Sequence, residues 1–396
     1  MKVLPYRMFC PVRNLGDAIN PFLIKKISGA EPYFTGAEKH LLGVGSIFFL
    51  LNKSSFVWGS GLLKPDHNLI EIPTSQFKAV RGELTRKYLL DHGHDVSHIP
   101  VGDPGYLMKK HYKQRKVEKK FKACIIPHYA SYDLDVFNKF RGREDICYFN
   151  MMTNNVESLD QILQSEVVIS QSLHGLIFAE AFGIPSVWIS SRSDDTWKFK
   201  FLDWYSTTYE PRSEPLPLDT SLDQLLANAR MSHSCIDAEA LEEAFPKDEL
   251  VTELDYDLVP YENCVEHNAV TLPLKFDYKL KDYRSLDDKD ISNIGKLLRE
   301  AYLKKAIGYS APPYFLVGNG VENLSPSEIE KITKLMDVKS NFYFASVVRG
   351  VSPPKDETVH TINGLIVGKN NYLGDIFFVR PGRHVSLKNS FLTIYL

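Results

Sequence analysis

The sequence predicts an α/β fold: open parallel sheets covered by helices in its first two thirds, then an appended α+β module. Three observations predict it. Short β-branched apolar runs alternate with stretches of helical period. Gly and Pro punctuate the junctions. The alternation stops near residue 268, where strands and turns take over. The boundaries read as 1–115 for a first lobe, 116–267 for a second lobe with a helical extension, and 268–396 for the module.

The best-defined stretch is Ser170 to Ile189, SQSLHGLIFAEAFGIPSVWI. The apolar run Val167–Ile169 before it reads as a buried parallel strand. Leu173, Leu176, Ile177, Ala181 and Phe182 recur at helical spacing. Gly183 and Pro185 stop that helix, and Ser186–Ile189 restarts as a strand. His174 therefore falls in the first turn after a strand, where open parallel sheets present ligand-binding groups. Helix N-terminal amides suit an anion there, and an imidazole can carry a proton near neutral pH. The competing reading is a histidine that bonds only to backbone.

In chain order, Lys2–Phe9 reads as the first strand, and Pro21–Ile27 as a helix ending at Ser28-Gly29. Asn14 and Asp17 bracket Gly16 between them, and Asp17 reads as an N-cap or as a functional acid. Leu41–Leu51 is apolar enough to suggest a helix against the sheet. Phe56–Gly61 and Phe77–Gly82 read as strand-to-turn junctions, with a helix over Glu83–His92. Arg81 sits at such a strand end, where its fork could hold a phosphate or carboxylate, or pair with Glu83. The basic run Lys109–Lys122 reads as a solvated linker.

The second lobe begins with a strand over Phe121–Ile126, which delivers His128 to another strand end. A strand over Asp145–Phe149 and helices over Val156–Leu163, Thr196–Tyr205, Leu222–Ala229 and Ala238–Phe245 follow. In the module, Asp287–Lys304 and Ser325–Met336 read as helices. Phe342–Val348, Thr361–Val367 and Phe377–Val379 read as strands.

Composition removes several function classes. With 396 residues, 44% hydrophobic content and a formal net charge of −2, the chain is globular and carries no field that would favour nucleic acid. Five cysteines without a CxxC pair imply reduced thiols, and no metal-ligand spacing occurs. The opening MKVLPYRMFC lacks a signal-peptide core, and no apolar stretch reaches membrane-spanning length. The expected location is cytoplasmic. The 20 Tyr, 23 Phe and 4 Trp hint at a carbohydrate-handling cleft, because sugars stack on aromatic faces.

NLGDAINPFLI, VWGSGL, AVRGELT, VGDPGYL, IIPHY and SQSLHGLIFAEAFGIPSV occur in this order over Lys2–Tyr209. They resemble the polysaccharide pyruvyl transferases. The resemblance implies two Rossmann-like lobes similar to the GT-B glycosyltransferases. It also implies transfer of pyruvate from phosphoenolpyruvate to two hydroxyls of one sugar, in a surface polysaccharide or its lipid-linked precursor. No cofactor beyond that donor is implied. Asp17 matches the family's acid and His174 its histidine, giving the candidate catalytic pair.

Arg81 matches the donor-binding arginine. Many members carry arginine two residues before the histidine, where this chain has Ser172. Arg192, Lys198 and Lys200 are the cations that could replace it. Asn14, Asn20 and His128 complete the candidate substrate-binding set. A nucleotide-sugar glycosyltransferase on the same fold, and a glycan-binding protein without activity, are the alternatives. A peripheral membrane contact and a homo-oligomer are left open.

Overall fold

The structure is a computed structural model. It describes residues 1–253 except 10–12, 35–38, 66–71, 114–116 and 192–193. Beyond these it describes 269–273, 281–282, 314–318, 323–338, 344–348, 360–362, 365–369, 372–373, 376–379 and 392–395. One compact unit comprises Met1–Phe9 and Asn14–Tyr256; the other comprises Cys10–Arg13 and Asp257–Leu396.

The first unit is mixed α/β, built on two mainly parallel sheets. β1 (Lys2–Arg7), β2 (Glu31–Phe34), β3 (His40–Leu42), β4 (Ser55–Trp58) and β5 (Phe77–Ala79) belong to the first sheet. β1 pairs in parallel with both β2 and β3, and β4 and β5 extend the sheet. α1 (Leu15–Ser28) follows β1, and α2 (Glu83–Asp91) follows β5. α3 (Met108–His111) precedes the second sheet, whose strands are β6 (Phe121–Ile126), β7 (Ile146–Tyr148), β8 (Ser165–Ser170) and β9 (Ser186–Trp188).

The order of that sheet is β7-β6-β8-β9, all parallel. Its central strands are apolar on both faces, as parallel strands between helices must be. Ala123, Ile125, Val168, Ile169 and Val187 are fully buried. Cys124 and Cys147 are register partners on β6 and β7, buried and unbridged. α4 (Leu159–Leu163) leads into β8, and α5 (Leu173–Ala181) leaves it.

After β9 the chain crosses back. α6 (Asp195–Tyr205) packs Phe201, Trp204 and Tyr205 onto Leu173, Leu176 and Trp188. α7 (Leu222–Ala227), α8 (Ala238–Glu243) and α9 (Lys247–Leu250) follow. Trp58 of the first sheet donates its indole N–H to the Leu241 carbonyl at 2.7 Å. β10 (Thr252–Glu253) then joins the edge of the first sheet, antiparallel to β1.

In the second unit, β11 (Ala269–Pro273), β12 (Lys281–Asp282), β13 (Tyr314–Gly318) and α10 (Pro326–Val338) are followed by β14 (Phe344–Val348), β15 (His360–Ile362) and β16 (Leu365–Lys369). β17 (Tyr372–Leu373), β18 (Ile376–Val379) and β19 (Leu392–Tyr395) complete it. The main sheet runs β11-β13-β18-β14-β19-β16-β15 with mixed directions. The helix expected over Asp287–Lys304 lies outside the described residues. Among the described residues no helix is long and apolar enough to cross a membrane.

Two sequence expectations are corrected. Leu41–Leu51 is not a helix: it is the end of β3, a turn, and a 3₁₀ segment over Phe48–Leu50. Leu41 and Leu42 pair with β4, and Gly43 packs against Asn20, so the sheet overrides the apolar run. The first helix begins at Leu15, not Pro21, because Asn14 caps it by accepting from the Gly16 N–H at 2.9 Å. Asp17 therefore sits inside the first turn and is not the cap.

Candidate active site

Three turns at the carboxyl ends of parallel strands converge. The turn after β1 carries Asp17 on α1. The turn after β8 carries His174 on α5. A third, Asp103-Pro104-Gly105, follows Val101, which pairs in parallel with Val80 beyond β5. The α1 turn is tied to the second sheet by the Leu15 N–H, which donates to the Met151 carbonyl at 2.8 Å.

Asp17 and His174 belong to different sheets yet lie together. A Cβ at Gly16 would fall 2.0 Å from His174 Nδ1, so only glycine lets the imidazole sit against the first turn of α1. Asp17 is 8% exposed and His174 9%. Burial pushes the Asp17 carboxyl up to about 7, against the opposing pull of His174 and Lys200, with Asp103 adding a small upward push. A carboxyl poised there can take or return a proton at neutral pH.

Asp103 is fully buried. Its Oδ1 accepts from the Gly105 N–H at 2.8 Å, which fixes the turn. Its Oδ2 faces His174 Nε2 at 3.8 Å, and neither atom has a hydrogen-bond partner among the described residues. Two unsatisfied buried polar atoms facing each other are costly unless a proton or ligand-linked adjustment closes the gap. The turn is held in place by Gly59 (φ 77) at the end of β4, where a Cβ would collide with Pro104 Cδ at 2.3 Å. Sequence reasoning noted VGDPGYL but gave Asp103 no role. The pairing of its aspartate with proline and glycine after an extended segment was the available signal.

The remaining candidates separate. Arg81 is not part of this group. It is fully buried, and its Nε donates to Asp203 Oδ2 at 2.9 Å. Its other nitrogens donate to Ser46 Oγ and to the Leu62 carbonyl. Asp203 also accepts from the Thr85 N–H and hydroxyl. Arg81 thus braces the Gly45-Ser46 turn from behind, while a Cβ at Gly45 would lie 3.3 Å from Asp17 Oδ1 on the other side.

The pairing with Glu83 does not form either, since Glu83 bonds Arg86. Arg81→Ala is expected to cost ~3–5 kcal/mol of stability, because it strands a buried carboxylate. Chemical denaturation should show this.

Asn14 is spent on the helix cap. Asn20 clamps α1 to the loop after β3, bonding the Val44 N–H and carbonyl and the Asp17 carbonyl. Lys198 is held by Glu214 at 2.6 Å and Asp195 at 3.2 Å, which raise its pKa. Ser172 is half-buried at the start of α5, its N–H bonded to Ser170 Oγ, and its side chain does not cap the helix. Arg192 lies outside the described residues. His128 is half-exposed, and its N–H donates to Gln171 Oε1 at 3.0 Å, three residues before His174. Lys200 is close enough for Asp17 to feel its charge. A separate cavity of about 450 Å³ beside β9, lined by Trp188, Arg212, Glu214 and Arg230, contains none of the Asp17–His174 group.

The fold and site together define an α/β protein in which an acid and an imidazole, carried by helices of two mainly parallel sheets, are brought together. Comparison with known proteins gives its family. The model for polysaccharide pyruvyl transferases matches residues 27–193, a span that holds Asp103 and His174 but begins after Asp17. The chain is 32% identical over 212 residues to an uncharacterized protein, L143, of Acanthamoeba polyphaga mimivirus, covering 49% of this chain and 70% of that one. It is 26% identical over 240 residues to the succinoglycan biosynthesis protein ExoV of Rhizobium meliloti (strain 1021), covering 57% of this chain and 72% of that one. No solved structure matches it significantly. The chain belongs to the polysaccharide pyruvyl transferase family.

Proposed function

We propose that the chain transfers pyruvate from phosphoenolpyruvate onto two hydroxyls of one sugar, forming a cyclic ketal during polysaccharide synthesis. One observation carries this reading: Asp17, poised near neutrality, meets His174 between two parallel sheets, the place a GT-B-like cleft would occupy. Family membership and the likeness to a succinoglycan biosynthesis protein support it.

The proton count closes with these two groups. His174 protonates the donor's methylene carbon, making the adjacent carbon electrophilic. The first sugar hydroxyl attacks that carbon and gives its proton to Asp17. The second hydroxyl displaces phosphate and returns a proton to His174, while Asp17 passes its own to the departing phosphate. One proton ends on the new methyl group and one on phosphate. Lys200 and the first-turn amides of α5 supply the positive charge that phosphate needs, in place of the arginine that Ser172 replaces. Asp103 orients the imidazole through Nε2; its 3.8 Å approach shortens as the ligand settles.

The test is release of phosphate from phosphoenolpyruvate that depends on a galactose- or mannose-type acceptor. No release across a broad acceptor panel by folded protein sinks the reading. Thermal shift separates it from a nucleotide-sugar transferase: phosphoenolpyruvate should raise Tm, and UDP and GDP should not.

A further inference from the structure

The cavity of about 450 Å³ beside β9 is lined by neither Asp17 nor His174. Two segments share the outer edge of β9. Leu216 pairs in parallel with Ile189, and Arg230 pairs antiparallel with Ser186. Both segments line the cavity, and its charged groups are Arg212, Glu214 and Arg230.

Those charges do not cancel among themselves. Glu214 is committed to Lys198 at 2.6 Å. Glu180, whose charge reaches Arg212, is taken by the N–H groups of Ser232 and Ser234. Among the described residues neither arginine forms an ion pair. Arg212 Nη2 donates instead to the carbonyls of Ser186 at 2.6 Å and Arg230 at 2.9 Å, which ties its fork to β9 and to the second segment. Burial lowers the Arg212 pKa, and the like charge of Arg230 acts in the same sense. Two donors of the lining residues also lack an acceptor. Arg212 Nε and Trp188 Nε1 are buried and unbonded among the described residues, and Trp188 is 1% exposed.

A partly buried guanidinium without a counter-charge is costly, and so is a buried donor without an acceptor. A cavity with two uncancelled guanidinium groups is complementary to an oxyanion. The charge count matches a phosphate monoester, which carries about two negative charges near neutral pH. The volume is that of a small-molecule site and leaves room for more than the phosphate itself. Ser213 and Asn228 also line it, and they offer a hydroxyl and an amide oxygen to the body of such a ligand. We infer that this cavity binds a small phosphate monoester, with the phosphate held between Arg212 and Arg230. The site stands apart from the proposed pyruvyl transfer and uses neither Asp17 nor His174.

Isothermal titration of the full chain with glucose 6-phosphate should show binding. Glucose 6-sulfate, the same body with less charge, and inorganic phosphate, the same charge without the body, should each bind about tenfold more weakly or worse. Arg230 is exposed, so Arg230→Gln should fold as wild type does, and it should weaken glucose 6-phosphate binding about tenfold or more. Arg212→Lys keeps the charge but loses the fork, and it should weaken binding as well. His174→Gln should bind glucose 6-phosphate as wild type does.

No binding of glucose 6-phosphate or inorganic phosphate at millimolar concentration overturns the site. So does undiminished binding in both arginine variants, or loss of binding in His174→Gln, which would move the ligand to the other group. Equal affinity for the sulfate ester contradicts the dianion, and equal affinity for inorganic phosphate rejects the ester. Glucose 6-phosphate binding that depends on Arg230, in a chain that never releases phosphate from phosphoenolpyruvate, keeps this site and removes the pyruvyl transfer reading.

Discussion

Asp17→Asn is expected to lower turnover by ~10²–10⁴-fold while making the protein more heat-stable at pH 8. Activity falls because the amide cannot take the first hydroxyl's proton. The stability change has the opposite sign and follows from linkage. Burial raises the folded-state pKa of Asp17 from 3.8 to about 7, so the folded chain holds the proton more tightly than the unfolded one. Stability therefore drops as pH rises from about 4 to about 7, and the loss is complete above that.

The asparagine variant lacks this penalty. Its Tm should nearly match wild type near pH 4 and exceed it progressively up to pH 8. In the wild type, kcat/KM should rise with pH through about 7, and the variant's residual activity should lose that limb. Full turnover by the variant would remove Asp17 as the base. A Tm difference that does not grow between pH 4 and 8 would contradict the raised pKa.

His174→Gln should reduce turnover by ~10²-fold or more without unfolding the chain, since in the proposed reaction the imidazole protonates the donor's methylene carbon. Asp103→Asn should reduce kcat less, leaving KM nearly unchanged, because Asp103 acts through the imidazole. The double variant should be no slower than His174→Gln alone, since an orienting residue has nothing left to orient. Additive losses would show that Asp103 contributes independently of His174. Circular dichroism and Tm on all three variants separate chemistry from folding.

The elements that could be read from sequence are those whose period and punctuation agreed. β8, α5 and β9 stand where the run Val167–Ile169, the helical spacing from Leu173 and the Gly183–Pro185 stop placed them. His174 was legible for the same reason: the end of a parallel strand fixes where the next turn must lie. Leu41–Leu51 was misread because a buried strand and a buried helix can share one apolar composition. Only the pairing of Leu41 and Leu42 with β4 decides between them.

Asp17 was legible as a residue of the first turn of α1, though not its neighbour's part: Asn14, not Asp17, caps the helix by accepting from the Gly16 N–H. Arg81 was placed at a strand end correctly, yet its partner Asp203 lies 122 residues away, a separation no local pattern reveals. Asp103 was hidden likewise, because its significance comes from facing His174 across the fold.

The Arg81–Asp203 pair also governs how the first unit can breathe. α6 is wedged between the halves: Phe201, Trp204 and Tyr205 are sunk among the side chains of α5 and β9, while Asp203 grips the arginine beyond β5. Prising the two sheets apart would break that pair and uncover the aromatic side chains of α6 that are sunk against α5 and β9. Amide exchange along α6 should accordingly be as slow as in the central strands. In the proposed reaction the donor would enter a site whose two sides are already joined through α6.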